Sequence, residues 1–185
     1  MLEIRWHGRG GQGAFTASKI LGAAAVLDGK YALAFPSFGP ERRGAPIQAY
    51  TKISEHKITD RTVLKKCDYI IYLDESLYQE AAVNDLKEGG RILINSAQPE
   101  KYHSDYITTI DADRISSEIM NRAVSNTAMV TALVTGYGIT DMDKMKKAYE
   151  FYLPSKVVEK NKLVADQVER LMGEVRSENA RTENE

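Results

Sequence analysis

Cysteine is the scarcest chemistry-bearing residue in this chain: Cys67 is the only one among 185 residues. One thiol cannot close an internal disulfide, build a cysteine zinc site or anchor an iron–sulfur cluster alone. Such usage suits a reducing compartment, and the chain is expected in the cytoplasm. His7, His56 and His103 lie far apart and lack the i, i+4 spacing of a metal pair, so they read as structural histidines. No run of about 18 apolar residues is present, and the opening MLEIRWHGRGG has no apolar signal core, so no membrane association is expected. Net charge is missing too: 25 Lys and Arg against 26 Asp and Glu leave no polyelectrolyte character, and nucleic acid is not suggested as a partner. No Ser-His-Asp or paired-carboxylate constellation can be assembled by spacing, so no catalytic residue is assigned.

The charge that is present is unevenly placed. Residues 1–66 carry 11 basic against 5 acidic side chains, whereas residues 67–121 carry 4 against 11. The first third can therefore present a positive face to an anionic ligand or an acidic neighbour. Scattered, solvated surface charge is the plainer alternative.

Hydrophobic periodicity predicts a single α/β domain over residues 1–173, with a polar, frayed tail at 174–185. Strands are expected at Leu2–His7, Tyr31–Phe35, Ile47–Ser54, Asp68–Asp74, Arg91–Ile94 and Tyr106–Ile110. Ile47–Ser54 alternates apolar with polar residues, which suits a strand with one less buried face. The continuous apolar centre of DYIIYLD suits a parallel sheet covered on both faces. Helices are expected at Ala14–Leu27, Glu75–Leu86, Ala112–Asn121, Asn126–Thr135 and Ser155–Met172. Val157, Asn161, Val164, Val168 and Leu171 form the packing stripe of the last. Gly89-Gly90 reads as a turn. The alternation implies a three-layer α/β/α sandwich with a Rossmann-like glycine-rich turn after its first strand.

That turn is the first candidate site. Gly8-Arg9-Gly10-Gly11-Gln12-Gly13 lies between strand and helix, where bare amides and a helix N-terminus can approach an anion closely. Arg9 can add a charged hydrogen bond. A glycine turn also lets a strand and helix pack tightly with no ligand at all. A dinucleotide is disfavoured, because the second strand ends in Ala34-Phe35-Pro36 with no acid for a ribose hydroxyl, and no Lys-Ser or Lys-Thr pair closes a P-loop.

The second candidate is Glu41-Arg42-Arg43-Gly44, inside PSFGPERRGAP. Paired arginines in a loop stiffened by prolines make a preorganised fork for phosphate or carboxylate, with Glu41 orienting one of them. The alternative is a structural loop in which Glu41 and Arg42 pair with each other. Cys67 reads as a small core residue. Asp74 ends a central strand where open sheets bind ligands, although an acid also commonly ends a strand.

WHGRGGQGAFTASKILGAAAVLDGK followed by FPSFGPERRGAPIQAYTKIS resembles the gamma subunit, or gamma domain, of pyruvate and related 2-oxoacid:ferredoxin oxidoreductases. The match extends through DYIIYLD and Asn126 to Asn161, covering roughly residues 1 to 170. The resemblance implies a subunit, inactive alone, of a complex that decarboxylates a 2-oxoacid, with pyruvate favoured, to an acyl-CoA with ferredoxin as electron acceptor. It also implies that thiamine diphosphate with Mg2+ lies with alpha and beta subunits, and iron–sulfur clusters with beta and delta. Coenzyme A is then the natural guest for Gly8, Arg9, Gly10, Gly11, Gln12, Gly13, Glu41, Arg42, Arg43 and Gly44, with subunit docking as the rival role for the same residues. A stand-alone nucleotide- or CoA-binding regulatory module is the other reading.

Overall fold

The structure, a computed structural model, describes residues 1–37 and 43–182, with side chains only to Gly173 in the final helix. Strands β1 (Leu2–Arg9), β2 (Tyr31–Pro36), β3 (Pro46–Ser54), β4 (Cys67–Tyr72), β5 (Leu86–Asn95) and β6 (Ile107–Ile110) form one mixed sheet, ordered β2-β3-β1-β4-β5-β6. β1, β4, β5 and β6 run parallel, while β3 is antiparallel to both β1 and β2. β4 is central, as its unbroken apolar run required.

The helices are α1 (Ala14–Leu27), α2 (Ala112–Met120), α3 (Ser125–Tyr137), α4 (Met142–Tyr152) and α5 (Ser155–Thr182). All five contribute to one buried cluster with Ile4, Trp6, Ile71 and Leu93 of the sheet. Side chains alternate across a strand, so Arg5, His7, Tyr50 and Lys52 point to the opposite face. That face packs a smaller cluster, and the described residues cover it with two 3-10 turns (Glu75–Leu77, Glu80–Asp85) and the 55–66 segment. The expected third layer is therefore thin and not α-helical. Beside its apolar cluster this face also carries Arg5 at 7% and Lys52 at 0% exposure, and these charges are met by Asp85 at 2.6 Å and Asp60 at 2.7 Å.

Four local expectations are corrected. Glu75–Leu86 is not one helix, because the Asp74 carboxylate accepts from the Ser76 amide at 3.0 Å and Tyr78 and Gln79 take extended backbone. Gly89-Gly90 is not a turn between elements but an irregularity inside β5. A Cβ at Gly90 would meet the Lys87 carbonyl oxygen at 2.9 Å. The middle of β3, Ala49–Ile53, is buried on both faces, since helices cover one side and the 3-10 layer the other. Finally, α5 does not stop near Gly173 but continues through Thr182, because extending an existing helix avoids the cost of nucleating one.

Candidate functional site

The glycine turn and the arginine loop are joined by backbone. The Gly10 amide donates to the Ala45 carbonyl at 2.9 Å, and the Gly44 amide returns a bond to the Gly10 carbonyl at 3.0 Å. This pairing continues the β1–β3 ladder past Arg9↔Pro46. Arg43 therefore faces the turn across one cavity of about 580 Å³, lined by Gly10, Gly11, Gly13, the first three residues of α1, Arg43 and Ile47. Among the described residues that line it, none carries a carboxylate. Glu41 and Arg42 lie outside the described residues.

The start of α1 supplies donors. The first intrahelical bond runs from the Ala17 amide to the Gly13 carbonyl at 2.9 Å, so the amides of Ala14, Phe15 and Thr16 precede the helical ladder. Neither a capping side chain nor a first-turn acid occupies this end. An uncapped helix start carries roughly half a positive charge. Exposed Arg43 adds a whole one.

The glycines divide between the two roles that sequence reasoning left open. A Cβ at Gly8 would crowd Ala14 Cβ at 3.2 Å, and one at Gly13 would meet Asn126 Nδ2 at 2.5 Å, so both serve close packing. A Cβ at Gly11, where φ is 99°, would meet nothing within 4 Å among the described residues, and Gly11 is exposed.

Arg9 and Gln12 are committed within the chain. Arg9 donates from Nε to Asp74 at 3.0 Å, from Nη1 to the Gly44 carbonyl at 3.2 Å and from Nη2 to Ser76 Oγ at 2.8 Å. Gln12 accepts the Arg9 amide at 2.7 Å and donates to Asp74 at 3.1 Å. Burial works against the Asp74 charge, but hydrogen bonds from Ser76 and Gln12 and the Arg9 guanidinium together outweigh it and hold the carboxyl below the usual range. These groups clamp the turn, the arginine loop and the end of β4 into one piece. Sequence reading placed Asp74 at a ligand-binding edge and missed that it is the hub of this clamp, as it missed buried Asn126 under Gly13.

A larger cavity of about 760 Å³ opens on the other face of the sheet, beside Arg5, His7, Gln48, Tyr72 and Asp85. It offers an anion little. Arg5 is neutralised by Asp85 at 2.6 Å. His7, stacked on Tyr72 at 4.5 Å between ring centroids, is held uncharged by burial and by Arg5, its pKa lowered to about 4. Burial likewise pushes the Cys67 thiol up to about 11, which suits a core residue and not a nucleophile. Among the described residues no group of three or more His, Cys, Asp or Glu can hold a metal ion, and no helix is long and apolar enough to cross a membrane.

The family model for pyruvate ferredoxin/flavodoxin oxidoreductase matches residues 3–169. The chain belongs to this family. The pyruvate synthase subunit PorC of Methanothermobacter marburgensis is 44% identical over 162 residues, which span 87% of this chain and 92% of that one. The common gamma subunit of the pyruvate/ketoisovalerate oxidoreductases of Thermococcus litoralis is 38% identical, over 87% of this chain and 91% of its own. Among solved structures, the pyruvate oxidoreductase subunit PORC of Thermotoga maritima superposes with a TM-score of 0.78 at 35% identity, covering 91% of this chain and 95% of that one. The chain is accordingly a gamma-type subunit of a 2-oxoacid:ferredoxin oxidoreductase, an enzyme of oxidative decarboxylation. A single cysteine cannot by itself supply the ligands of an iron–sulfur cluster.

Proposed function

We propose that this subunit holds the phosphates of coenzyme A while its thiol reaches a reaction centre carried by partner chains. The carrying observation is the pair of backbone bonds between Gly10 and the 44–45 segment, which sets Arg43, the Gly11 backbone and the start of α1 around one cavity. Phosphate oxygens are acceptors with full negative charge, and this cavity offers donors and positive potential. Its volume of about 580 Å³ lies in the ordinary range for a bound small molecule. Arg9, Gln12 and Asp74 act on the ligand through the turn, by fixing where its amides point.

In this reading the 2-oxoacid is pyruvate, and alpha and beta subunits carry thiamine diphosphate with Mg2+. Beta and delta subunits carry the clusters that lead to ferredoxin, and the complex works in the cytoplasm. Thiamine diphosphate supplies the carbanion chemistry of decarboxylation when bound. This chain's share is to bind, orient and neutralise the incoming thioester-forming substrate.

The test is Arg42→Ala combined with Arg43→Ala in the reconstituted complex. The expected result is a KM for coenzyme A raised by about tenfold or more, at one lost charged contact of about 1.5–3 kcal/mol, with the KM for the 2-oxoacid and assembly unchanged. Unchanged dependence on coenzyme A refutes the assignment, and loss of assembly alone assigns the loop to docking.

A further inference from the structure

The far half of α1 carries an apolar surface that the oxidoreductase assignment does not use. Val26 is 55%, Leu27 37%, Tyr31 51%, Phe151 67% and Tyr152 41% exposed, and these residues gather where α1, α4 and β2 meet. Val26, Leu27, Phe151 and Tyr152 rim a groove of about 430 Å³ whose floor is made of Gly22, Ala23, Ala32 and Ala34. β2 is also the edge of the sheet. An exposed apolar patch beside an open strand edge is an aggregation hazard unless something covers it.

The lining holds one charge, Lys19. Its ammonium lies 4.8 Å from the Phe15 ring centroid and 5.1 Å from that of Tyr152, and among the described residues no carboxylate pairs with it. Nearby acids are committed elsewhere: Asp28 to Lys30 at 3.2 Å and Glu150 to Lys162 at 3.0 Å. A two-fold contact between copies of this chain would set this lining against itself, and the lining holds no acid to meet either Lys19, so the surface is not self-complementary in charge. A different chain has to supply the carboxylate.

We propose that this groove seats a neighbouring subunit of the complex, through an amphipathic segment that places one bulky apolar side chain over Gly22 and Ala23 and one Asp or Glu carboxylate at Lys19. The small floor residues leave room for the apolar knob, Phe151 and Tyr152 close over it, and the carboxylate selects partner and register. From α1 the apolar part of the seat is Gly22, Ala23, Val26 and Leu27, in the half remote from the glycine turn, while Lys19 lies nearer the turn, over Phe15.

The experiment uses the complete complex. A photo-crosslinking benzoylphenylalanine at position 151 should join this chain to another subunit. The adduct should map to an apolar segment with Asp or Glu within about one helical turn of the crosslink. In parallel, Phe151→Glu and Lys19→Glu should each cut co-elution with the partner subunits by about tenfold or more, while the free variant chains keep the wild-type melting profile. Phe151→Ser supplies a milder variant should Phe151→Glu fail to fold. An adduct to a second copy of this chain, an adduct to a segment without a carboxylate, or assembly indifferent to these substitutions would overturn the proposal. Each readout is independent of the KM for coenzyme A, so the two readings fail separately.

Discussion

Replacing Gly13 with alanine should lower stability by about 3 kcal/mol, and the figure can be built from its parts. Gly13 has φ of 83°, and a left-handed backbone costs an L-residue about 1–2 kcal/mol. The new Cβ would lie 2.5 Å from Asn126 Nδ2 and 3.1 Å from Cγ, so the carboxamide has to turn away. Asn126 is 6% exposed, and its Oδ1 accepts the Thr127 amide at 2.9 Å at the start of α3. Breaking that buried bond adds about 1–2 kcal/mol. Urea unfolding followed through Trp6 measures the sum, because this single tryptophan is fully buried and hydrogen-bonded to Thr51 at 3.0 Å. Gly29→Ala is the internal control: φ is 80° but nothing lies within 4 Å, so only the backbone part of about 1–2 kcal/mol remains. In an Asn126→Ala background the cost of Gly13→Ala should fall to that control value. Equal costs for Gly13→Ala and Gly29→Ala in the native background would refute the packing role assigned to Gly13.

Asp74→Asn should destabilise the fold by about 1.5–3 kcal/mol, one hydrogen bond to a charged group, and should raise hydrogen exchange at Gly10 to Gly13, because it unfastens Arg9 and Gln12 together; unchanged exchange there would count against the clamp. Acid should weaken the fold through His7. Its folded pKa of about 4 lies below the ordinary 6.5, so the unfolded chain binds the extra proton first. Stability is then full above pH 6.5 and declines as pH falls toward 4, by at most about 3 kcal/mol; His7→Phe should flatten that slope, and an unaltered slope would exclude His7 as its source.

Much of the scaffold was legible because its signals are local. Gly13 and Asp28-Gly29 mark both ends of α1, and the predicted span of Ala14–Leu27 is the observed one. The apolar run of β4 announced a central parallel strand, and three of the five residues expected on the α5 stripe, Asn161, Val164 and Val168, are buried. α4 went unrecognised although its signals exist, with Asp141 capping Asp143 at 2.7 Å and Met145, Ala148 and Tyr149 buried at helical spacing. The 75–86 segment resembled a helix by composition, yet the Asp74 side chain and the packing of Tyr78 against Tyr72 and Tyr102 at 5.5 Å each draw it into 3-10 turns. At the site, residue types in the turn and loop pointed to an anion. What joins Arg9 to Asp74, 65 residues on, and Gly13 to Asn126 is tertiary contact, which leaves no trace in local pattern.

Thr16→Glu tests the anion cavity most directly, because it sets the fold and the ligand against each other. A carboxylate in the first turn of α1 faces the positive end of the helix and should hold or raise stability by about 0.3–1 kcal/mol. The same carboxylate lines the cavity assigned to phosphate. Calorimetric titration of coenzyme A into the assembled complex should therefore show affinity for the variant reduced by about tenfold or more, with the loss shrinking as salt is added. Wild-type affinity in a correctly assembled Thr16→Glu complex would contradict the account.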